Sequence, residues 1–370
     1  MSTIMYTPFQ VGNAQISNRL VASAMFEYGA DNGKITEKIK ERYLALADGG
    51  AGLIITGMHA VSASGSVAPI MVNTEYDNYV IDMSNIANTV HEKGGKIIVQ
   101  LQHCGGKTST ADDYDKFAVC EKKVSENCIY HEATKDELHK VTVDFATSAL
   151  RCKEAGVDGV QIHGAHGYLI NSFLSPSTNY RTDEYGGKIE NRARILFEVY
   201  DAIRQAVGDD FIIGVKFPFS DLNENSIKPE ESIFVCKELE KRGIDFIEVS
   251  SGMVMDNSSA SFTPVVRNDN QAPFLKYASQ LACQVAIPVI SVCGYRTPDM
   301  VEKALSETKI SAVSFGRPLV REPNLPNRWK NDRSPAMCVS CNRCCNSFGD
   351  KIITCQIKKM QDSNNAERKL

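Results

Sequence analysis

Several features are scarce in this 370-residue chain, and each scarcity excludes something. No apolar run approaches the roughly 20 residues that a membrane-spanning helix requires. Lys and Arg number 41 against 45 Asp and Glu, a formal net charge of −4, so the basic excess that nucleic acid attracts is missing. The N-terminal stretch MSTIMYTPFQVGN has no basic segment leading into a long apolar core. Export is therefore not expected, and a cytoplasmic location is. No Gly-x-Gly-x-x-Gly follows the first predicted strand, which counts against a doubly wound dinucleotide-binding sheet. No histidine occurs after His166. Hydrophobic residues make up 43% of the chain and charged residues 23%, the balance of a globular enzyme and not of a disordered chain.

Cysteine, by contrast, is abundant. Seven of the twelve are scattered: Cys104, Cys120, Cys128, Cys152, Cys236, Cys283 and Cys293. The other five crowd the tail as Cys338, Cys341, Cys344, Cys345 and Cys355. In a reducing compartment such a cluster points to metal binding and not to disulfides. The scattered ones read as packed core residues.

Short apolar runs recur along the chain: RLVASAM (19–25), GLIITG (52–57), KIIVQLQ (96–102), GVQIHG (159–164), IIGVKF (212–217), FIEVSSG (246–252), PVISVCG (288–294) and AVSFGR (312–317). Most are rich in Val and Ile, as strands buried on both faces are. Between them lie stretches with apolar residues at three-to-four spacing, such as ITEKIKERYLALADGG with its Gly-Gly stop and NRARILFEVYDAIRQAVG. Eight alternating units predict an α/β fold, a (β/α)8 TIM barrel. Two regions break the rhythm. Residues 104–135 are polar and predict a lid insertion after the third strand. The predicted domains are a barrel over 1–330 and a C-terminal cysteine-cluster extension over 331–370, its last ten residues frayed.

The most informative stretch runs from Gly159 to Arg194. It places His163, His166 and Tyr168 at the end of the strand GVQIH, where a barrel puts its chemistry. Histidines three residues apart can also simply satisfy backbone groups, or form half of a zinc site, although no third ligand stands nearby.

These residues sit in a pattern that resembles the Old Yellow Enzyme family of FMN-dependent NAD(P)H:flavin oxidoreductases. The resemblance covers nearly the whole chain: NRLVASAM, GGAGLIITG, QLQHCGG, the HGAHGY…NYRTDEYGG…ENRAR block, GIDFIEVSSG and SFGRPLVREPNLPNRW. The tail CVSCNRCC…C extends it to the iron–sulfur branch that includes bacterial 2,4-dienoyl-CoA reductase.

The resemblance implies roles. His163 and His166 would donate to a substrate carbonyl oxygen as negative charge develops there. Tyr168 would deliver a proton to the α-carbon of an activated alkene. Gln100 would bond the flavin pyrimidine edge. Lys216, where relatives usually carry arginine, would sit beside flavin N1–O2. Ser23, Ala24 and Met25 would lie against the ring, with Gly57 leaving it room. Gly294, Gly316 and Arg317 would hold the FMN phosphate. Arg192 and Arg194 would be structural partners of the TDEYGG acids. NADH or NADPH would be the reductant.

For the tail, the resemblance implies a [4Fe–4S] cluster on Cys338, Cys341, Cys345 and Cys355. Cys344 offers a second register, and structural zinc is the main rival. Some positions depart from the family. Phe26 stands where Cys, Thr or His is usual. Gly106 replaces an arginine for which Lys107 could substitute. Ser251–Gly252–Met253 occupies the place of a further histidine, which argues against a dienoyl-CoA substrate. The long relatives continue into FAD- and NADPH-binding domains beyond the position of Leu370, so a cluster here is expected to exchange electrons with a separate partner protein or to serve as scaffold. The implied activity is reduction of a carbon–carbon double bond. The alternatives are an amine or alcohol dehydrogenase passing electrons outward, and a non-catalytic electron carrier. A homo-oligomer is compatible with each.

Overall fold

The computed structural model describes residues 3–108, 116–125, 128–221, 225, 227–252, 271–347 and 349–367. Eight parallel strands close into one barrel in sequence order. They are β1 (Leu20–Ala22), β2 (Leu53–Ala60), β3 (Lys96–Gln102) and β4 (Gly159–His163), then β5 (Ile212–Pro218), β6 (Phe246–Ser250), β7 (Val289–Val292) and β8 (Ala312–Phe315). Each coincides with one of the eight apolar runs. Among the described residues, one main helix stands between each successive pair of strands: α1 (Glu37–Asp48), α2 (Tyr79–Glu92), α3 (Lys135–Glu154), α4 (Arg194–Val207), α5 (Pro229–Arg242), α6 (Leu275–Ala282) and α7 (Pro298–Glu307). The expected TIM barrel is therefore the observed fold.

Local sequence explains these elements. Along β3, Ile97, Val99 and Leu101 face the helices, whereas Ile98 turns into the barrel core. Helix α3 opens on a capping box in which Thr134 and Glu137 satisfy each other's backbone N–H groups. Helix α4 buries Ile195, Leu196, Val199, Tyr200, Ile203 and Val207 along one stripe and stops at Gly208, whose φ of 74° suits glycine.

The barrel interior has two layers of different character. The lower one is apolar: Val21, Leu53, Ile55, Ile98, Ile212, Phe246, Ile290 and Ala312 form one core. A hairpin of Phe9–Val11 and Ala14–Ile16 stoppers it from below, adding Phe9, Val11 and Ile16 to the same cluster. Each of these buried Val, Leu, Ile and Phe side chains contributes roughly 1.5–3 kcal/mol. The upper layer is polar and forms the floor of the site.

Within the predicted lid, Phe117–Ala118, Lys122–Ser125 and Cys128–Glu132 form a small three-stranded sheet. Residues 109–115 and 126–127 of that insertion lie outside the described residues. Arg181 ties the sheet down, donating at 2.9 Å to both Val119 O and Ala133 O while its other edge pairs with Asp183.

Two expectations need correction. Arg192 does not meet the TDEYGG acids. It is buried, donates to Leu174 O and Gly187 O, and pairs at 2.8 Å with Glu231 of α5. Arg194 reaches that segment only through the Glu184 carbonyl. Residues 361–367 of the expected frayed end are also ordered into a helix, which runs from Gln356 to Glu367, and Arg321 donates to Gln361. Residues 368–370 and Met253 lie outside the described residues. No described helix is long and apolar enough to cross a membrane.

Candidate active site

The polar floor is drawn from six strands. Glu248 of β6 is fully buried at its centre. Its Oε1 accepts from Ser23 Oγ and from Ser314 Oγ, both at 2.7 Å. Its Oε2 accepts from Gln161 Nε2 at 3.0 Å and lies 3.2 Å from Lys216 Nζ. Lys216 also donates to Ser23 Oγ at 3.0 Å, and Gln100 Nε2 donates to Gln161 Oε1 at 2.7 Å. Burial alone raises a carboxyl's pKa. Here the Lys216 ammonium and the three donors outweigh it and hold Glu248 below its ordinary value. A buried lysine needs a partner, and Glu248 is that partner.

Above this floor stand the residues of the central block. The rings of His163 and His166 are 5.1 Å apart at 86°, and the His163 and Tyr168 rings are 5.1 Å apart. His163 Nδ1 accepts from Ala165 N at 3.4 Å, which leaves its proton on Nε2. His166 Nε2 pairs with Ser250 Oγ at 2.8 Å. Burial, then His166, Lys216 and Lys107, keep His163 well below the ordinary histidine range. Burial, then Lys216 and Lys107, push His166 down to about 3. Both are neutral imidazoles, and His163 offers its Nε2–H as an uncharged donor. Burial raises the Tyr168 phenol above its ordinary value, so it holds its proton. Lys107 lies 5.2 Å from the centre of the Tyr168 ring and donates to His166 O.

The remaining expected residues fall into two groups. Ser23, Gln100 and Lys216 meet in the floor. Ala24 packs on the apolar layer, while Met25 packs with Tyr28 and Cys344. Gly316, at the end of β8, clears Met25: a Cβ there would stand 2.6 Å from its Sδ. Gly294 follows β7 with a φ of 86°. Gly57 has a different neighbour from the one expected. The space beside it is filled by the Glu27 carboxylate, 2.2 Å from where a Cβ would be. Arg317 donates to Ser340 O and Asn342 Oδ1, turning toward the cysteine tail.

In that tail one cavity is lined by Cys338, Cys341, Cys344 and Cys355, together with Arg317. Cys345 is not in its wall; its carbonyl accepts from Tyr28 Oη at 2.6 Å. The wall thus includes Cys344, the cysteine of the second register, while the Cys345 thiol is hydrogen-bonded to that of Cys344. Among the described residues, no three metal-binding side chains are gathered tightly enough to hold a single ion.

Sequence reasoning missed Glu248, Gln161 and Ser314. A signal existed for the first two: FIEVS and GVQIH carry polar residues at positions that doubly buried strands fill with apolar ones.

Residues 4–335 match the NADH:flavin oxidoreductase / NADH oxidase family. The chain is 31% identical over 367 residues to a metal reductase of Desulforamulus reducens, covering 96% of this chain and 53% of that protein. It is 32% identical over 350 residues to an NADH oxidase of Thermoanaerobacter brockii, 92% of this chain and 53% of that one. The chain thus spans about half the length of these two curated relatives. It is 33% identical over 329 residues to an NADPH dehydrogenase of a Geobacillus species, 88% of this chain and 93% of that protein. Among solved structures, 2-naphthoyl-CoA reductase superposes with a TM-score of 0.86 at 24% identity, covering 95% of this chain and 56% of that one. Morphinone reductase superposes with a TM-score of 0.75, also at 24% identity, covering 90% and 91%. At that identity the two structures speak for the fold. The family match and the Geobacillus relative say more: this chain belongs to the NADH:flavin oxidoreductase / NADH oxidase family.

Proposed function

We propose that the chain is an FMN-dependent, NAD(P)H-consuming oxidoreductase that reduces an activated carbon–carbon double bond. One observation carries the reading: two neutral imidazoles and a protonated phenol converge directly above a floor that offers a cation and an amide. The floor fits a flavin pyrimidine edge. Gln100 Oε1 has no donor among the described residues, and Lys216 has one N–H left after Ser23 and Glu248. Bound there and reduced by NADH or NADPH, FMN would supply hydride to the alkene. The protein does the rest. His163 Nε2–H and the neighbouring His166 polarise the carbonyl conjugated to the alkene. Tyr168, protonated throughout the physiological range, gives its proton to the carbon that ends as the carbanion. Gly294 and Gly316, at the adjacent ends of β7 and β8, would lie against the phosphate; the Arg317 guanidinium faces Ser340 and Asn342 of the tail instead.

The cysteine cavity supports a [4Fe–4S] cluster on Cys338, Cys341, Cys344 and Cys355. The resemblance of the tail to the iron–sulfur branch favours the cluster over structural zinc. In this reading residues 1–330 are the flavin barrel and 331–370 the cluster-binding extension, which would pass electrons to a separate protein.

Tyr168→Phe tests the central claim. It should slow alkene reduction by about 10²–10⁴-fold while flavin reduction by NAD(P)H keeps its rate. Equal slowing of both half-reactions contradicts the assigned role.

A further inference from the structure

We infer that Glu248 is the positioning residue that sets the polarity of the flavin-facing floor, making Gln100 an acceptor and Lys216 a partly neutralised cation. The inference rests on the flavin reading above and goes beyond it, because Glu248 touches neither ring nor substrate.

The argument is one of donor direction. An ionised carboxylate only accepts hydrogen bonds. Two chains of donors converge on Glu248. In the first, Gln161 must offer Nε2 to Glu248, so its Oε1 faces Gln100. Gln100 must then offer its own Nε2 to Gln161, and its Oε1 is left pointing away from the network as an acceptor. An amide alone could take either orientation; the carboxylate at the end of the row removes the choice. The imide N–H of an isoalloxazine needs that acceptor. In the second chain, Lys216 donates to Ser23, and Ser23 donates to Glu248. Lys216 also faces the carboxylate directly, on the adjacent strand in register. Its ammonium is therefore held in place and its field is largely cancelled from below. Ser314 completes the acceptor's shell.

Two consequences separate. Removing the charge at Glu248 frees the amide row, which weakens FMN binding. It also leaves Lys216 uncompensated, and an uncompensated cation favours the anionic reduced flavin over the oxidised one. A residue that merely supported the fold would weaken both redox states alike.

The experiment uses the reconstituted holoprotein, with FMN titrated by fluorescence quenching and its two-electron potential measured against reference dyes. Glu248→Gln should bind oxidised FMN about tenfold more weakly. It should raise the reduced-to-oxidised affinity ratio about tenfold, a potential about 30 mV more positive. Glu248→Asp, which keeps the charge, should hold the wild-type potential. Gln161→Met cuts the first chain only; it should weaken binding and leave the potential alone, and it remains informative if Glu248→Gln does not fold. A wild-type potential in Glu248→Gln, or unaltered FMN affinity in Gln161→Met, overturns the inference while the flavin reading stands. Failure of the wild-type chain to retain FMN at all overturns the flavin reading, and the inference with it.

Discussion

The carboxylate of Glu27 occupies the space beside Gly57, with Oε2 2.2 Å from the position a Cβ would take. The acid is held there: Tyr43 Oη donates to its Oε1, and Tyr43 Oη in turn accepts from Gly57 N at 2.9 Å. Gly57→Ala must therefore overpack a buried site, at a cost of about 1–3 kcal/mol. The same substitution in a Glu27→Ala background should cost less, by at least about 0.5 kcal/mol. Urea unfolding of the two single variants and the double variant measures the coupling. Strict additivity would show that the glycine is needed for something else.

In the proposed reading His166, beside His163, polarises the substrate carbonyl as a neutral imidazole. His166→Ala should lower the rate of alkene reduction by about 10²–10³-fold, the usual loss when one preorganised donor is removed. Stopped-flow traces of the oxidative half-reaction read it. Because neither imidazole carries charge, this half-reaction should be flat from about pH 5 to pH 8. A bell-shaped profile centred on histidine titration would contradict the neutral assignment.

The buried imidazoles also shape stability. His103 is pushed down to about 3 by burial, with Lys140 adding to it, and His163 is lower than ordinary for the reasons given above. In the unfolded chain both take up a proton near about pH 6.5. Below that value the unfolded state binds more protons than the folded one, so stability falls as pH falls. The slope is up to about 1.4 kcal/mol per pH unit for each imidazole, and neither contributes a slope above about pH 6.5. Denaturant titrations at stepped pH should show this decline, and His103→Asn should remove one share of it. An acid limb of unchanged steepness in that variant would count against the mechanism.

If the tail holds the proposed cluster, Cys344→Ser should strip the protein of iron, while Cys345→Ser should keep it, because Cys344 contributes to the cavity wall and Cys345 does not. Iron per chain and the visible absorption of anaerobically purified protein decide between them. The opposite pattern would restore the register through Cys345.

What the sequence made legible was whatever local chemistry dictates. All eight strands lie where short apolar runs, most of them rich in Val and Ile, put them, since a doubly buried strand needs such residues. The imidazoles and the phenol were legible because they end one of those strands. The floor was not, because its pairs exist only once the barrel closes: Lys216 and Glu248 sit on neighbouring strands, and Ser314 meets the same carboxylate from β8. Arg192 was misread for the same reason, its acid lying on a helix that folds back from further along the chain. The terminal helix escaped notice because QIKKMQDSNNAE has no apolar stripe.

Among the described residues, the hairpin of Phe9–Val11 and Ala14–Ile16 closes the lower end of the cylinder, so the floor is approached from the opposite end of the strands. An electron donor and an electron acceptor that both need that floor are therefore obliged to take turns, and a turnover becomes two visits in place of one meeting.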